Sequence, residues 1–296
     1  MRYFVTGASG WIGSATTAEL LQAGHQVVGL ARSDSGAAKL EALGAEVRRG
    51  ELDDLDGLRA GAAESDGVIH LGYKHDFSPE GMADAARTDH AAISAIGDTL
   101  AGTGKPLVIA SGAPFGVGRL ATEHDSSDPA THPRVANALH ALSYAERGVR
   151  SAVVRFAPTV HGQGDHGFVA VLVDIARRTG ISGYPGDGGN RWPAVHVLDA
   201  AALVRLVVEE APAGSSWHAI ADEGVPTREI AEAIGRMLNV PVESIPAERT
   251  AEQFTWLARF FSLDLPVSSE LTQSTFGWKP IHPGLIADLD AGAYQA

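Results

Sequence analysis

The chain predicts an α/β fold, a doubly wound parallel sheet with a smaller C-terminal lobe, and three observations lead there. Short β-rich runs alternate with longer helical stretches through the first half. Several of those runs are almost continuously apolar, as strands covered by helices on both faces must be. Residues 6–13 read Thr-Gly-Ala-Ser-Gly-Trp-Ile-Gly, a TGxxGxxG turn standing between the first strand and the first helix.

Residues 2–5 form the first strand, and an apolar helix runs from 11 to 23. The opening N–H groups of such a helix lack intrahelical acceptors and lie at its positive dipole end, so the turn suits a pyrophosphate. Gly7 makes the turn, Gly10 lets a phosphate approach the backbone, and Gly13 lets helix and strand pack closely. Ser9, Trp11 and Ile12 complete this expected dinucleotide loop. The second strand, Gln26–Ala31, ends in Ala31-Arg32-Ser33, where an NAD site carries an acid for the ribose 2′-hydroxyl. A guanidinium and a hydroxyl suit a 2′-phosphate instead, and the missing carboxylate removes a repulsion. The expected cofactor is therefore NADP(H), with the nearby Asp34 moderating the preference.

Further strands are expected at Glu46–Arg49, 67–71, 106–110 and 151–156, with helices at 81–100 and 136–147. Later strands are expected at 192–197 and 216–221. After Pro158 the rhythm changes: Phe168, Val171, Leu172 and Ile175 share a helical face, and 184–190 is a glycine-rich loop. Thr227 is placed to cap a helix that turns Ile230, Ile234, Met237 and Leu238 inward. The run Phe254, Trp256, Leu257, Phe260 and Phe261 reads first as core packing and second as a pocket lining. On this reading residues 1–163 bind the dinucleotide, completed by 190–220, while 164–189 and 221–296 form a substrate-binding lobe.

Composition narrows the functional classes. The chain has 296 residues, 45% hydrophobic and 20% charged, ordinary for a soluble enzyme with a large core. No apolar stretch is long enough to span a bilayer, and Met1 leads within two residues into a core strand, so no membrane span or signal peptide is expected. With no cysteine, thiolate catalysis, disulfides and cysteine–metal sites are excluded, which fits a cytoplasmic protein. A formal charge of −13 argues against nucleic acid or an anionic membrane as partner. The 12 histidines show no HExxH or comparable compact spacing, so no metal is expected.

Together these residues resemble the extended short-chain dehydrogenase/reductase superfamily in its NAD(P)-dependent epimerase/dehydratase branch, over nearly the whole chain. The resemblance implies a Rossmann-like fold. It places Glu51 and Leu52 of Gly50-Glu51-Leu52 near the adenine, and Leu71 and Gly72 of Val68-Ile69-His70-Leu71-Gly72 over the cofactor ribose. It also makes Ser111 of Ala110-Ser111-Gly112 the active-site serine, and puts Pro158 of Arg155-Phe156-Ala157-Pro158 beside the nicotinamide. Val195-His196-Val197-Leu198-Asp199 and Phe276-Gly277-Trp278-Lys279-Pro280 are similar to later landmarks of the family. One departure is plain: the family's proton donor is a tyrosine in Tyr-x-x-x-Lys, and no tyrosine here has a lysine four residues later. The corresponding region, 131–142, holds Arg134 as its only lysine or arginine.

Carbonyl reduction needs a hydride donor, a hydrogen bond to the oxygen that gains charge, and a proton source. Ser111 is expected to supply the hydrogen bond. For the proton, His161 and then Tyr73 are the candidates, with water as rival, while Arg134 stays charged and suits cofactor binding better than acid catalysis. Tyr73 is also expected to touch the cofactor. Lys74, His75, Asp165, His166, Arg191 and Trp192 are expected to line the substrate cleft, whereas His196 and Asp199 read as structural. The leading expectation is an NADP(H)-dependent reductase of a small or medium carbonyl or imine. Its alternatives are a non-catalytic NADP(H) sensor and, less favoured, a sugar-nucleotide epimerase or dehydratase. A homodimer through helix 81–100 is the expected assembly.

Overall fold

Strand and helix alternate as the glycine turn foretells: β1 (Arg2–Thr6), α1 (Trp11–Gln22), β2 (Gln26–Ala31), α2 (Asp34–Leu43), β3 (Glu46–Arg49), α3 (Leu55–Ala63), β4 (Gly67–His70), α4 (Pro79–Leu100), β5 (Pro106–Gly112), α5 (Pro133–Ser143) and β6 (Arg150–Phe156). The computed structural model describes residues 1–76, 78–130 and 132–295, with Pro79 by its backbone alone. Thr131, at the edge of the region aligned with the missing pair, lies outside the described residues. The middle of the chain adds β7 (Thr159–His161), α6 (Phe168–Thr179), β8 (Ser182–Pro185), β9 (Arg191–His196), α7 (Val197–Glu210) and β10 (Ser215–Ala219). The remainder holds β11 (Asp222–Pro226), α8 (Thr227–Leu238), β12 (Val242–Ile245), α9 (Thr250–Phe254), α10 (Ala258–Phe261), α11 (Glu270–Phe276) and α12 (Leu285–Asp290).

Seven strands form one parallel sheet in the order β10-β6-β5-β4-β1-β2-β3. Strand order reverses at β1, between β4 and β2, so a crevice opens at their carboxyl ends. Alternation along β1 feeds two cores. Tyr3 and Val5 join Leu20, Val204 and Val207 under α1 and α7, while Phe4 joins Leu58, Ile93 and Ile96 under α3 and α4.

A third core gathers Leu172, Ile230, Ile234, Phe254, Leu257, Phe261, Leu285 and Leu289. Its wall is β9, paired with β7 on one side and β11 on the other. Trp192 and Ala194 of β9 face this core, and Val195 faces the main one, so a single strand belongs to both. Among the described residues no helix is long and apolar enough to cross a membrane.

Several local expectations need correcting. The fifth helix starts at Pro133, whose fixed φ suits a first turn, and passes at Tyr144–Arg147 into a 3₁₀ turn. Tyr184 lies in the short strand β8 rather than in a loop, because β12 supplies a distant pairing partner. Thr227 is the first residue of α8 and not its cap; its hydroxyl donates to Asn190 Oδ1 at 2.7 Å. The aromatic run is core at Phe254, Leu257 and Phe261, but Trp256 is exposed.

Candidate active site

The turn between β1 and α1 is built so that only glycine fits at two of its positions. Gly7 has φ +66°, and a Cβ there would stand 2.6 Å from the Gly72 nitrogen. At Gly13 a Cβ would meet the Gly7 carbonyl oxygen at 2.0 Å, so α1 lies directly on the turn. At Gly10 only that same oxygen is near, at 3.1 Å, which leaves its other side open. The Gly7 oxygen accepts from the Gly10 N–H at 2.9 Å and closes the loop. This geometry fits a pyrophosphate laid across the start of α1. Leu52 and Leu71-Gly72 border the same turn, with a Leu52 methyl 3.1 Å from the Cβ position of Gly72. Glu51 is exposed next to Leu52.

At the end of β2, Arg32 is exposed, and the Ser33 hydroxyl caps α2 by accepting from the Gly36 N–H at 3.1 Å. Sequence reasoning missed two more cations here. Lys39 donates to the Ser9 carbonyl at 3.1 Å, which sets an ammonium beside the glycine turn. Arg49 donates to the Ser33 carbonyl at 2.6 Å and pairs with Asp34. The acid that would favour a 2′-hydroxyl is thus already engaged by a guanidinium. Neither cation lies in a motif; only the helix and strand placement brings them to the β2 end.

Trp11 ties the turn to the far side of the crevice. Its indole N–H donates to the Val160 carbonyl at 2.7 Å, and its ring meets His166 edge-on at 6.1 Å. Pro158 is half-buried just before β7.

The carboxyl ends of β4 and β5 bring the reaction candidates to one edge. His70 is paired with Ile109, so Ser111, two residues on and 4% exposed, lies level with the Leu71-Gly72-Tyr73 exit. A cavity of about 10 Å³, the room for one water, touches Ser111, Ser126, Ser127 and Arg155. Tyr73 is half-buried with the Arg134 guanidinium 4.2 Å above its ring centroid. His75 meets the Tyr73 ring edge-on at 5.7 Å. Burial raises the Tyr73 phenol above its ordinary value, with Arg134 opposing that rise and Asp89 adding to it.

His161 does not reach this edge. It is 0% exposed, and its Nδ1 lies 2.6 Å from Asp288 Oδ2 on α12, with Nε2 buried and unpartnered. An imidazole so enclosed has no path to a substrate, which corrects its placement as the first acid candidate. Arg191 and Trp192 are corrected too: Arg191 is paired with Asp264 at 2.8 Å, and Trp192 is 0% exposed inside the third core. The Trp192 pattern was readable as a strand residue, but its packing partners lie far along the chain. Lys74 is held between Asp53 and Asp84, both at 3.0 Å. Asp165 accepts from the Gly167 N–H and from the Tyr294 hydroxyl, each at 2.7 Å, and burial raises its carboxyl. His196 caps α7 by accepting from the Leu198 N–H, and Asp199 accepts from the N–H groups of Ile281 and His282.

Comparison with known proteins places this geometry in context. The model of the NAD dependent epimerase/dehydratase family matches residues 3–220. An uncharacterized protein of Schizosaccharomyces pombe is 47% identical over 296 residues, covering 99% of this chain and 100% of its own length. The 2′-dehydrokanamycin reductase of Streptomyces kanamyceticus is 32% identical over 281 residues, 86% of this chain and 72% of that protein. Among solved structures, the UDP-glucose 4-epimerase of Thermus thermophilus in complex with NAD superposes with a TM-score of 0.76 at 20% identity, covering 99% of this chain and 98% of that one.

Proposed function

Because the chain belongs to the NAD dependent epimerase/dehydratase family, we propose that it is an NADP(H)-dependent reductase of a small or medium carbonyl or imine compound. The observation that carries the reading is the cation set at the β2 end. Arg32 and Ser33 follow the end of β2, Lys39 donates to the Ser9 carbonyl of the glycine turn, and Arg49 holds Asp34, so positive charge gathers where an acid would select a 2′-hydroxyl. Two charge-assisted contacts to a 2′-phosphate favour it over a hydroxyl. Gly7, Ser9, Gly10, Trp11, Ile12 and Gly13 would hold the pyrophosphate, Glu51 and Leu52 the adenine side, and Leu71, Gly72 and Pro158 the ribose and ring. The bound cofactor supplies hydride. Ser111 would hydrogen-bond the substrate oxygen as it gains charge, and Tyr73, which leaves the neighbouring strand at the same level, would give the proton. On this reading the third core and the segment after β7 would form the substrate lobe, and a small molecule in a cytoplasmic setting is the partner it would take. The named reductase relative supports this class.

The test has two parts. Dissociation constants for NADPH and NADH, measured by fluorescence, are expected to favour NADPH. Arg32→Ala and Lys39→Ala should each cut that preference about 10-fold or more, the weight of one charged hydrogen bond. Equal discrimination in wild type and both variants ends the NADP assignment. Nicotinamide absorbance with ketones, aldehydes and imines should show turnover that Ser111→Ala depresses; tight binding with no turnover favours a sensor, and interconversion of a UDP-sugar favours an epimerase.

A further inference from the structure

We propose that Tyr73 and Arg134 form a substitute acid–cation pair, in which Tyr73 gives the proton in the reduction and Arg134 stabilises the phenolate left behind. This rests on the reductase reading above. Two side chains from different elements meet face to face at the reaction edge. Tyr73 leaves β4 beside the glycine turn, and Arg134 stands in the first turn of α5 with its guanidinium carbon 4.2 Å from the ring centroid. The Arg134 Nε is buried without a hydrogen-bond partner. A cation placed there lowers the energy of a negative ring more than that of a neutral one.

The pair is held from beneath by a buried polar chain that links the two backbones. The Gly72 N–H donates to Thr6 Oγ1 at 3.1 Å, and Thr6 Oγ1 is 2.7 Å from His70 Nδ1. His70 Nε2 lies 3.1 Å from Asp89 Oδ1, and Asn137 Nδ2 donates to Asp89 Oδ2 at 2.7 Å and to the Ala86 carbonyl at 2.9 Å. With the Thr6 hydroxyl donating to Nδ1 and Nε2–H donating to the carboxylate, every link has one donor and one acceptor. Asn137 is one turn beyond Arg134, and Gly72 directly precedes Tyr73. The chain therefore fixes the residue before the phenol to the turn that carries the guanidinium.

The groups facing Tyr73 are Arg134 from α5, Asp89 from α4 and His75 from its own segment, with His166 from beyond β7 acting on His75. The proton balance is simple. Hydride from NADPH forms the new C–H bond and reduces the carbonyl carbon, the Tyr73 O–H bond breaks, and its proton goes to the substrate oxygen. Solvent then reprotonates the phenolate. Tyr73 touches substrate; Arg134 acts through it and is a positioning residue.

A titration that needs no substrate tests the pair. Protein carrying ¹³C at tyrosine Cζ is followed from pH 7 to 12 by NMR, and Tyr73→Phe identifies one signal among five tyrosines. Arg134→Gln is expected to raise the Tyr73 midpoint by up to about one unit, the low end for loss of a neighbouring charge, and Arg134→Lys to restore most of it. Far-UV circular dichroism and the melting temperature of every variant, neither of which needs cofactor, show that the fold persists. With a carbonyl substrate that wild type turns over, Tyr73→Phe should lower kcat at least about 100-fold and abolish the alkaline limb of the pH profile. Arg134→Gln should slow turnover and move that limb upward. A Tyr73 midpoint indifferent to Arg134, or a Tyr73→Phe rate near wild type, overturns the proposal. If the midpoint responds while no carbonyl is reduced by wild type, the reductase reading falls and the electrostatic pair does not.

Discussion

At Gly13 and Gly24 the same added methyl group has two different consequences. Gly13 would bring a Cβ within 2.0 Å of a backbone oxygen, whereas Gly24 has φ +83° and nothing within 4 Å. Backbone cannot yield as a flexible side chain does, so Gly13→Ala should destabilise by about 3 kcal/mol or more. Gly24→Ala carries only the left-handed strain, about 1–2 kcal/mol. Urea denaturation of both variants checks the difference; similar midpoints would mean that α1 does not rest on the turn. The same contact makes Gly13→Ala lose cofactor affinity, because α1 must move away from the pyrophosphate side to accept the methyl. The glycine turn was readable from sequence for this reason: its demands are local and only one residue type meets them. The contributions of Lys39 and Arg49 were not readable, since nothing in either residue's neighbours marks where a helix face or strand end will carry it.

Among the elements, β10 shows how a buried histidine makes packing depend on pH. The His218 N–H donates to Thr272 Oγ1 at 2.9 Å, and its Nδ1 donates to the Ser268 carbonyl at 2.7 Å, which pins α11 and the segment before it to the sheet edge. Thr272 in turn donates to Glu123 by hydroxyl and N–H, and Arg155 donates to the Glu123 and Asp125 carbonyls. Burial lowers the His218 pKa to about 4, with the nearby Arg155 also lowering it and the Ser268 hydrogen bond and Glu123 opposing. The folded chain therefore holds this imidazole neutral where the unfolded chain would protonate it. Stability is whole above the unfolded value near 6.5 and is lost as pH falls from there toward 4, by about 3 kcal/mol. Denaturation curves from pH 7.5 to 4.5 should fall less steeply for His218→Gln than for wild type; parallel curves remove His218 as the cause. The parallel strands were readable in the sequence because burial on both faces writes itself as a continuous apolar run. The seam between β10 and α11 was not, because Thr272 and Glu123 are 149 residues apart and neither residue type signals a buried pair. The placing of His161 failed likewise, its partner Asp288 being 127 residues away.

For the molecule as a whole, the question is whether the two halves of the crevice can unfold separately. Strand β9 lends Trp192 and Ala194 to the third core and Val195 to the main core, so neither core is complete without it. His161 joins β7 to α12 through Asp288, Tyr294 joins the C-terminal segment to Asp165, and Trp11 joins the glycine turn to Val160. The first two links tie the strand and loop beside β9 to the C-terminal elements of the third core, and the third ties the glycine turn to that same strand. Unfolding the third core alone would expose Val195 and leave the Asp165 carboxyl and the His161 ring without their partners, each of which adds to its cost. The chain should therefore melt in a single transition, and a ligand of the glycine turn should move all of it. At 100 times its dissociation constant, a nicotinamide dinucleotide adds about 2.7 kcal/mol, which raises Tm by roughly 4 °C for a chain of this length. Calorimetry distinguishes the outcomes: a second transition that NADP⁺ leaves in place would show the third core to be independent. If instead the one transition moves intact, the core around Leu285 and Leu289 unfolds together with the glycine turn, as the shared strand β9 requires.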